Sequence, residues 1–184
     1  WRENPTPYAT WLCEIIMQQT RIEQGLRYWY DFLTLWPDVD ALAASSLDDV
    51  LKAWQGLGYY SRARNLHRAA QLIAHERDGQ FPTSAKEWKN IPGVGPYTAA
   101  AIASICQGEC VAAIDGNVLR VISRLLGVQE PIDRPAGRNQ IETFSEEWLS
   151  EIKPGTHNEA VMELGATVCT PRAPQCPACP LSDI

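Results

Sequence analysis

The chain has 184 residues, 45% of them hydrophobic, enough for one generous core or two small ones. Sixteen Lys and Arg against 22 Asp and Glu leave a net charge of −6, the wrong sign for gripping nucleic acid by bulk electrostatics. No apolar run of about eighteen residues and no signal-peptide pattern is present, so nothing places the chain in or across a membrane, and a cytoplasmic or nuclear compartment is expected.

Helical periodicity dominates, and no alternating run stands between turn signals, so an all-α fold is expected. From Tyr8 to Trp36 the pattern reads as one long helix or two, ended by Trp36-Pro37, with Trp11, Leu12, Ile15 and Ile22 grouped on one side. Ser46 is the expected N-cap of the next helix, with Asp49 three residues on as a capping-box variant. "GLGYY" breaks the pattern, which resumes through Leu66, Ala69, Ala70 and Ile73 as far as Gly79. A short helix is expected in "SAKEWKNI". "VLRVISRLL" puts Val118, Val121, Ile122, Leu125 and Leu126 on one face of an amphipathic helix. The loop "GVQEPIDRPAG" is the best internal boundary, and two last helices, through Trp148 and from Asn158 to Val168, lead into the terminal cysteines.

Five stretches carry candidate chemistry. In "IPGVGPYTAAAIASI" the residues Pro92-Gly93-Val94-Gly95-Pro96 join two helical segments. Glycines permit positive φ and close backbone approach, and Pro96 suits a first helical turn, so the amides of Gly93, Val94 and Gly95 could be aimed at one phosphate of DNA. The plainer reading is a tight helix–helix turn. Asp115 directly precedes the amphipathic helix, where an aspartate is most often an N-cap. Glu14, with Gln18 and Arg21, lies in a narrow sector of an otherwise apolar helix. That is either a solvated stripe or a carboxyl whose pKa is raised by apolar surroundings, as a general acid requires. Cys169, Cys176 and Cys179 form a C-x6-C-x2-C tail, better suited to a metal or cluster in a reducing compartment than to disulfides. By softness and ligand count zinc fits almost as well as iron–sulfur. Arg62, Arg64 and Arg68 in "SRARNLHR" read as nucleic-acid backbone contacts or a solvated helix face.

Together the hairpin, the aspartate after it and the cysteine tail resemble the iron–sulfur branch of the helix-hairpin-helix DNA glycosylase superfamily. Within it, "PYATWLCEIIMQQTRIE", "GLGYYSRARNLH", "IPGVGPYTAAAI", "DGNVLRV" and "HNEAVMELGATVCT" look like the adenine DNA glycosylases of MutY type, nearly end to end. The resemblance implies a six-helix module over 1–109 with the hairpin, and a helical module over 110–184 ending in the cluster loop. It implies cleavage of the N-glycosidic bond of adenine mispaired with 8-oxoguanine or guanine in double-stranded DNA, as a monomer, in the bacterial nucleoid or a eukaryotic nucleus or mitochondrion. Glu14 matches the acid that protonates the leaving base, and Asp115 the carboxylate that stabilises the oxocarbenium-like sugar. Tyr97 and Asn117 match supporting residues. A related endonuclease III-type glycosylase-lyase carries a lysine where this chain has Tyr97, and a phenol cannot form a Schiff base, so a monofunctional enzyme is expected. Trp1, Arg2 and Glu159 match the pocket for the flipped adenine. Gln19, Thr20, Leu57 and Tyr59 match the surface that meets the opposite base. The family's cluster motif is C-x6-C-x2-C-x5-C, so a 4Fe–4S cluster is expected, its fourth cysteine just past residue 184. Family members also carry residues before Trp1 and a separate domain that recognises 8-oxoguanine, and neither is in this sequence. The glycosylase-lyase and a catalytically silent helix-hairpin-helix DNA-binding module remain the alternatives.

Overall fold

The structure, a computed structural model, describes residues 5–182. Among the described residues every regular element is helical, as the periodicity predicts. The chain divides into two compact units, Trp1–Ile102 and Ala103–Ile184.

The first unit holds α1 (Pro7–Met17), α2 (Ile22–Leu35), α3 (Val39–Ala44), α4 (Leu47–Ala53), α5 (Ser61–Glu76), α6 (Ala85–Trp88) and most of α7 (Pro96–Gln107). Local chemistry sets the starts. Thr6, Asp38, Ser46 and Ser84 each accept a hydrogen bond from a backbone N–H in the first turn of the helix that follows, satisfying a donor with no intrahelical partner. The Ser46 cap carries the expected reciprocal contact: its Oγ accepts from Asp49 N at 3.1 Å and donates to the Asp49 carboxylate at 2.7 Å. The stretch from Tyr8 to Trp36 resolves into two helices. The break removes Ile22 from the α1 stripe to the start of α2, where it is 44% exposed rather than packed with Trp11, Leu12 and Ile15.

The core of this unit is aromatic and aliphatic. Phe32 meets Trp54 edge-on at 5.7 Å, and Phe81 lies between Trp11 and Trp88 at 6.2 and 5.9 Å. Rings in such tilted and edge-on pairs add to the gain from burial itself. α5 contributes Leu66, Ala69, Ala70 and Ile73, all fully buried, and packs against α1, α3 and α4. Trp29 Nε1 donates to Ala9 O at 2.8 Å, tying α2 to α1.

The second unit is built from α8 (Gly116–Leu125), α9 (Pro135–Trp148), α10 (Pro154–Thr167) and a short 3-10 turn at Cys176–Ala178. α8 packs on both α9 and α10 around Val118, Val121, Ile122, Ile141 and Val161, with Phe144 and Trp148 against this cluster. The amphipathic face read from Val118, Val121 and Ile122 is thus the core face, while Leu126 falls past the helix end and is 41% exposed.

Candidate active site

Glu14 lies two turns into α1 and is half-buried, between the fully buried Trp11 and Ile15 of the same helix. After Met17 the chain turns sharply. Thr20 N donates to Met17 O at 3.1 Å, and Gln19 between them is exposed with φ 55°. A second turn follows α4, pinned by Tyr28 Oη to Gln55 O at 2.8 Å, Gln24 Nε2 to Gly56 O at 3.2 Å and Trp54 Nε1 to Gly58 O at 3.0 Å. Of the residues matched to the opposite-base surface, Gln19 and Tyr59 are exposed, Tyr59 at 65% and with φ 47°, and Thr20 is half-buried. Leu57 is buried. An aromatic ring that packing alone would draw inward therefore projects outward.

Arg62 corrects the sequence reading. It is neither on a solvated face nor available to a DNA backbone, being 8% exposed, whereas Arg64 and Arg68 on the same helix are exposed. The reason is tertiary: main-chain carbonyls of two turns converge on its guanidinium. Burial pushes its pKa below the ordinary arginine value, with Tyr59 opposing, and the group stays charged at neutral pH.

The hairpin lies between α6 and α7. Gly93 has φ 81°, and a Cβ there would stand 2.9 Å from Asn65 Cβ, so glycine serves both conformation and packing on α5. Gly95 is different: a Cβ there would meet nothing within 4 Å. Nothing inside the described structure requires glycine at that exposed position, which leaves the backbone open to an outside group at the N-terminus of α7. Val94 is buried and its N–H donates to Ile91 O at 3.1 Å, closing the turn. Gln18 Nε2 reaches Gly93 O and Thr98 Oγ1, both at 3.4 Å, fastening the turn to the end of α1. Tyr97, in the first turn of α7, is half-buried.

In the second unit Asp115 caps α8, its Oδ1 accepting from Val118 N at 2.8 Å. Its other oxygen accepts from Asn117 Nδ2 at 2.8 Å, so both are engaged and the carboxylate is held in one orientation. The support continues. Asn117 Oδ1 accepts from Arg120 Nη2 at 2.7 Å, and Arg120 also donates to Gly165 O at 2.6 Å and to Cys169 O at 2.7 Å. Asp115, Asn117, the end of α10 and the cysteine loop form one hydrogen-bonded system. α10 comes this close because residue 165 is glycine, where a Cβ would lie 2.6 Å from Asn117 Cβ. Asn158, 4% exposed, braces the strand-like approach to Asp115: its Oδ1 accepts from Ala113 N at 3.0 Å, and its Nδ2 donates to Val111 O at 3.0 Å and Ser104 Oγ at 2.9 Å. Glu159, beside it, is half-buried.

Sequence reasoning missed Arg62, Arg120 and Asn158 as organising residues. Only Arg120 left a trace, standing three residues after Asn117 on the same helix, the spacing at which side chains meet. The matches at Trp1 and Arg2 lie outside the described residues.

All six cysteines are free thiols, and none is in a disulfide. Arg124 Nη1 donates to Thr170 O at 2.9 Å and approaches Cys169 Sγ at 3.3 Å, so a positive charge faces the sulfur. Cys176 is exposed and Cys179 half-buried. The donor chemistry, thiols beside a guanidinium, suits an iron–sulfur group. Among the described residues, however, no three His, Cys, Asp or Glu side chains form a group able to hold a metal ion.

Comparison with known proteins completes the picture. The profile of the family described as "HhH-GPD superfamily base excision DNA repair protein" matches residues 12–151. The adenine DNA glycosylase of Homo sapiens is 39% identical over 178 residues, which is 96% of this chain and 33% of that protein. The adenine DNA glycosylase of Buchnera aphidicola subsp. Schizaphis graminum is 33% identical over 181 residues, 98% of this chain and 52% of that protein. The chain thus spans a third to about half of the length of these curated relatives. Among solved structures, a thermostable thymine-DNA glycosylase superposes with a TM-score of 0.88 at 24% identity, covering 98% of this chain and 83% of that one. At that identity the likeness speaks for the fold.

Proposed function

As the chain belongs to the HhH-GPD superfamily of base excision DNA repair proteins, we propose that it is a monofunctional adenine DNA glycosylase. It hydrolyses the N-glycosidic bond of adenine mispaired with 8-oxoguanine or guanine in duplex DNA, acting as a monomer. The observation that carries this reading is the 33–39% identity, over nearly all of the chain, to adenine DNA glycosylases of human and bacterial origin.

Glu14 supplies the proton with which adenine leaves as a neutral base, the part of general acid in this reading. Asp115 faces the positive charge that develops on the sugar. Its bonds from Asn117 and Val118 support that role by fixing the carboxylate without neutralising it. Water then adds to the sugar, leaving an abasic site. Tyr97 and Asn117 organise the site, and Trp1, Arg2 and Glu159 receive the flipped base. Gln19, Thr20, Leu57 and Tyr59 meet the opposite base and the gap. With the Val94 N–H engaged by Ile91 O inside the turn, the amides of Gly93 and Gly95 hold one phosphate, a contact that needs no net positive charge.

Cys169, Cys176 and Cys179 would supply three ligands of a 4Fe–4S cluster, which when bound would tie down the terminal loop. Arg120 and Arg124 hold the first of these cysteines from α8.

The test is a single-turnover assay on an adenine:8-oxoguanine duplex. Adenine release leaving an abasic site, with no borohydride-trapped adduct, is expected. Glu14→Gln should abolish release while duplex affinity stays within about twofold. Binding without release by the unaltered chain would leave only a DNA-binding module.

A further inference from the structure

Two of the four non-glycine residues with positive φ among the described residues are Gln19 (55°) and Tyr59 (47°). They lie 40 positions apart in two separate turns, and side-chain-bearing residues rarely hold this backbone unless their surroundings impose it. Both turns end on the same side chain. Arg62 Nη1 lies 2.8 Å from Ile16 O, 3.2 Å from Thr20 Oγ1 and 3.3 Å from Ile15 O, and it also donates to Gln18 O. Arg62 Nη2 lies 3.3 Å from Leu57 O and 3.5 Å from Gly58 O. The guanidinium sits 5.1 Å from the buried Trp54 ring and 5.8 Å from the exposed Tyr59 ring.

The chemistry of the arrangement is specific to arginine. The Ile15 and Ile16 carbonyls belong to the last turn of α1, where acceptors lack intrahelical partners and a positive charge is favoured by the helix dipole. One planar fork shares the two N–H bonds of Nη1 among the acceptors of the first turn and reaches the second turn with Nη2. A lysine has a single ammonium centre and cannot face both turns at once.

We propose that Arg62 is a positioning residue that locks the turns 18–20 and 57–59 into one preformed surface, presenting Gln19 and Tyr59 to the base opposite the excised adenine. The purpose assigned to the surface rests on the glycosylase reading above, whereas the clamp itself does not. A buried charge bridging two strained turns keeps the exposed Tyr59 ring in place before DNA arrives, so less ordering remains to be done on binding.

Two measurements on the Arg62→Lys chain test this. The first is amide hydrogen exchange in the free protein: exchange at residues 18–20 and at 57–60 should accelerate together, with the amides of Leu66, Ala69 and Ile73 in α5 unchanged. The second is single-turnover release from two duplexes, one with adenine opposite guanine and one with adenine opposite an abasic analogue that offers no base to meet. The rate should fall about tenfold or more on the first and by less than about twofold on the second. An equal fall on both duplexes means a general loss of structure and overturns the proposal. So does exchange that loosens only one turn or neither. If α5 also exchanges faster, Arg62→Gln, which keeps a planar donor, is measured instead under the same criteria. A wild-type chain that releases adenine neither from these duplexes nor from one with 8-oxoguanine opposite defeats the glycosylase reading, while the exchange result still decides the clamp.

Discussion

Replacing Gly165 with alanine sets two opposing effects against each other at one atom. Gly165 lies in the last turn of α10, where helix propensity favours alanine over glycine by at most about 0.8–1.0 kcal/mol. The new methyl, however, would lie 2.6 Å from Asn117 Cβ and 3.1 Å from both Asn117 Cα and O. Carbon atoms in contact prefer roughly 3.5–4.0 Å, so α8 and α10 must part by close to ~1 Å. Backbone and Cβ atoms cannot swing aside as a long side chain can. Overpacking of this kind costs about 1–3 kcal/mol, and with no rotamer to relieve it the upper half of that range applies. The clash wins, leaving a net loss of about 1–2 kcal/mol, or a fall in Tm of roughly 2–8 °C for a chain of this size. The residue displaced is Asn117, which donates to Asp115 and accepts from Arg120. On the proposed mechanism, a shift of about 1 Å at the Asp115 carboxylate would cost about a hundredfold in rate. Thermal melting by circular dichroism and single-turnover adenine release, the latter well below the transition, measure the two consequences separately. A Tm that rises by what propensity alone predicts, with release unchanged, would show that the helices are not in the contact described and refute the reasoning.

Three further outcomes follow from the same geometry. Arg120→Met removes the donors to Asn117 Oδ1, Gly165 O and Cys169 O. At about 0.5–1.5 kcal/mol for each of the three lost bonds it should destabilise the second unit by roughly 1.5–4.5 kcal/mol, read from urea unfolding, and adenine release should fall with it. Gly95→Ala places its methyl where nothing lies within 4 Å. Stability should stay within about 0.5 kcal/mol while duplex affinity, measured by fluorescence anisotropy, drops about three- to tenfold for loss of one close phosphate contact; unchanged affinity would reduce the hairpin to a turn. His157, packed edge-on against Trp148 at 4.8 Å, has its pKa lowered by burial. The unfolded chain then binds the proton more readily than the folded one. The stability that neutral His157 contributes is complete above the ordinary imidazole value of about 6.5 and is lost as pH falls below it. Urea midpoints across the imidazole range, from about pH 7.5 to about pH 5, should decline more for the native chain than for His157→Phe, with a parallel decline speaking against the assignment.

The share of this protein legible in one dimension is the share decided within a few residues. The caps at Ser46 and Asp115, the start of α7 at Pro96 and the buried stripe of α8 follow from hydrogen bonds and periodicities that close within a helical turn. The break between α1 and α2 was less legible, because either one helix or two would satisfy the apolar pattern, and Ile22 fell on the wrong side of it. The plain cap that local spacing favours for Asp115 is present, and the second bond, from Asn117, was not legible from spacing.

Tertiary structure alone decided which polar side chains are buried and why. Arg62 is charged and sits in a basic run, so its sequence suggests a solvated face. It is buried because carbonyls more than 40 residues away in α1 converge on it. Asn158 bonds across 45 to 54 residues to Ala113, Val111 and Ser104, and Gly165 is glycine because a helix 48 positions earlier in the chain passes within contact of it. The energy of such contacts depends on where distant backbone atoms come to rest, a quantity that no local pattern of residues encodes.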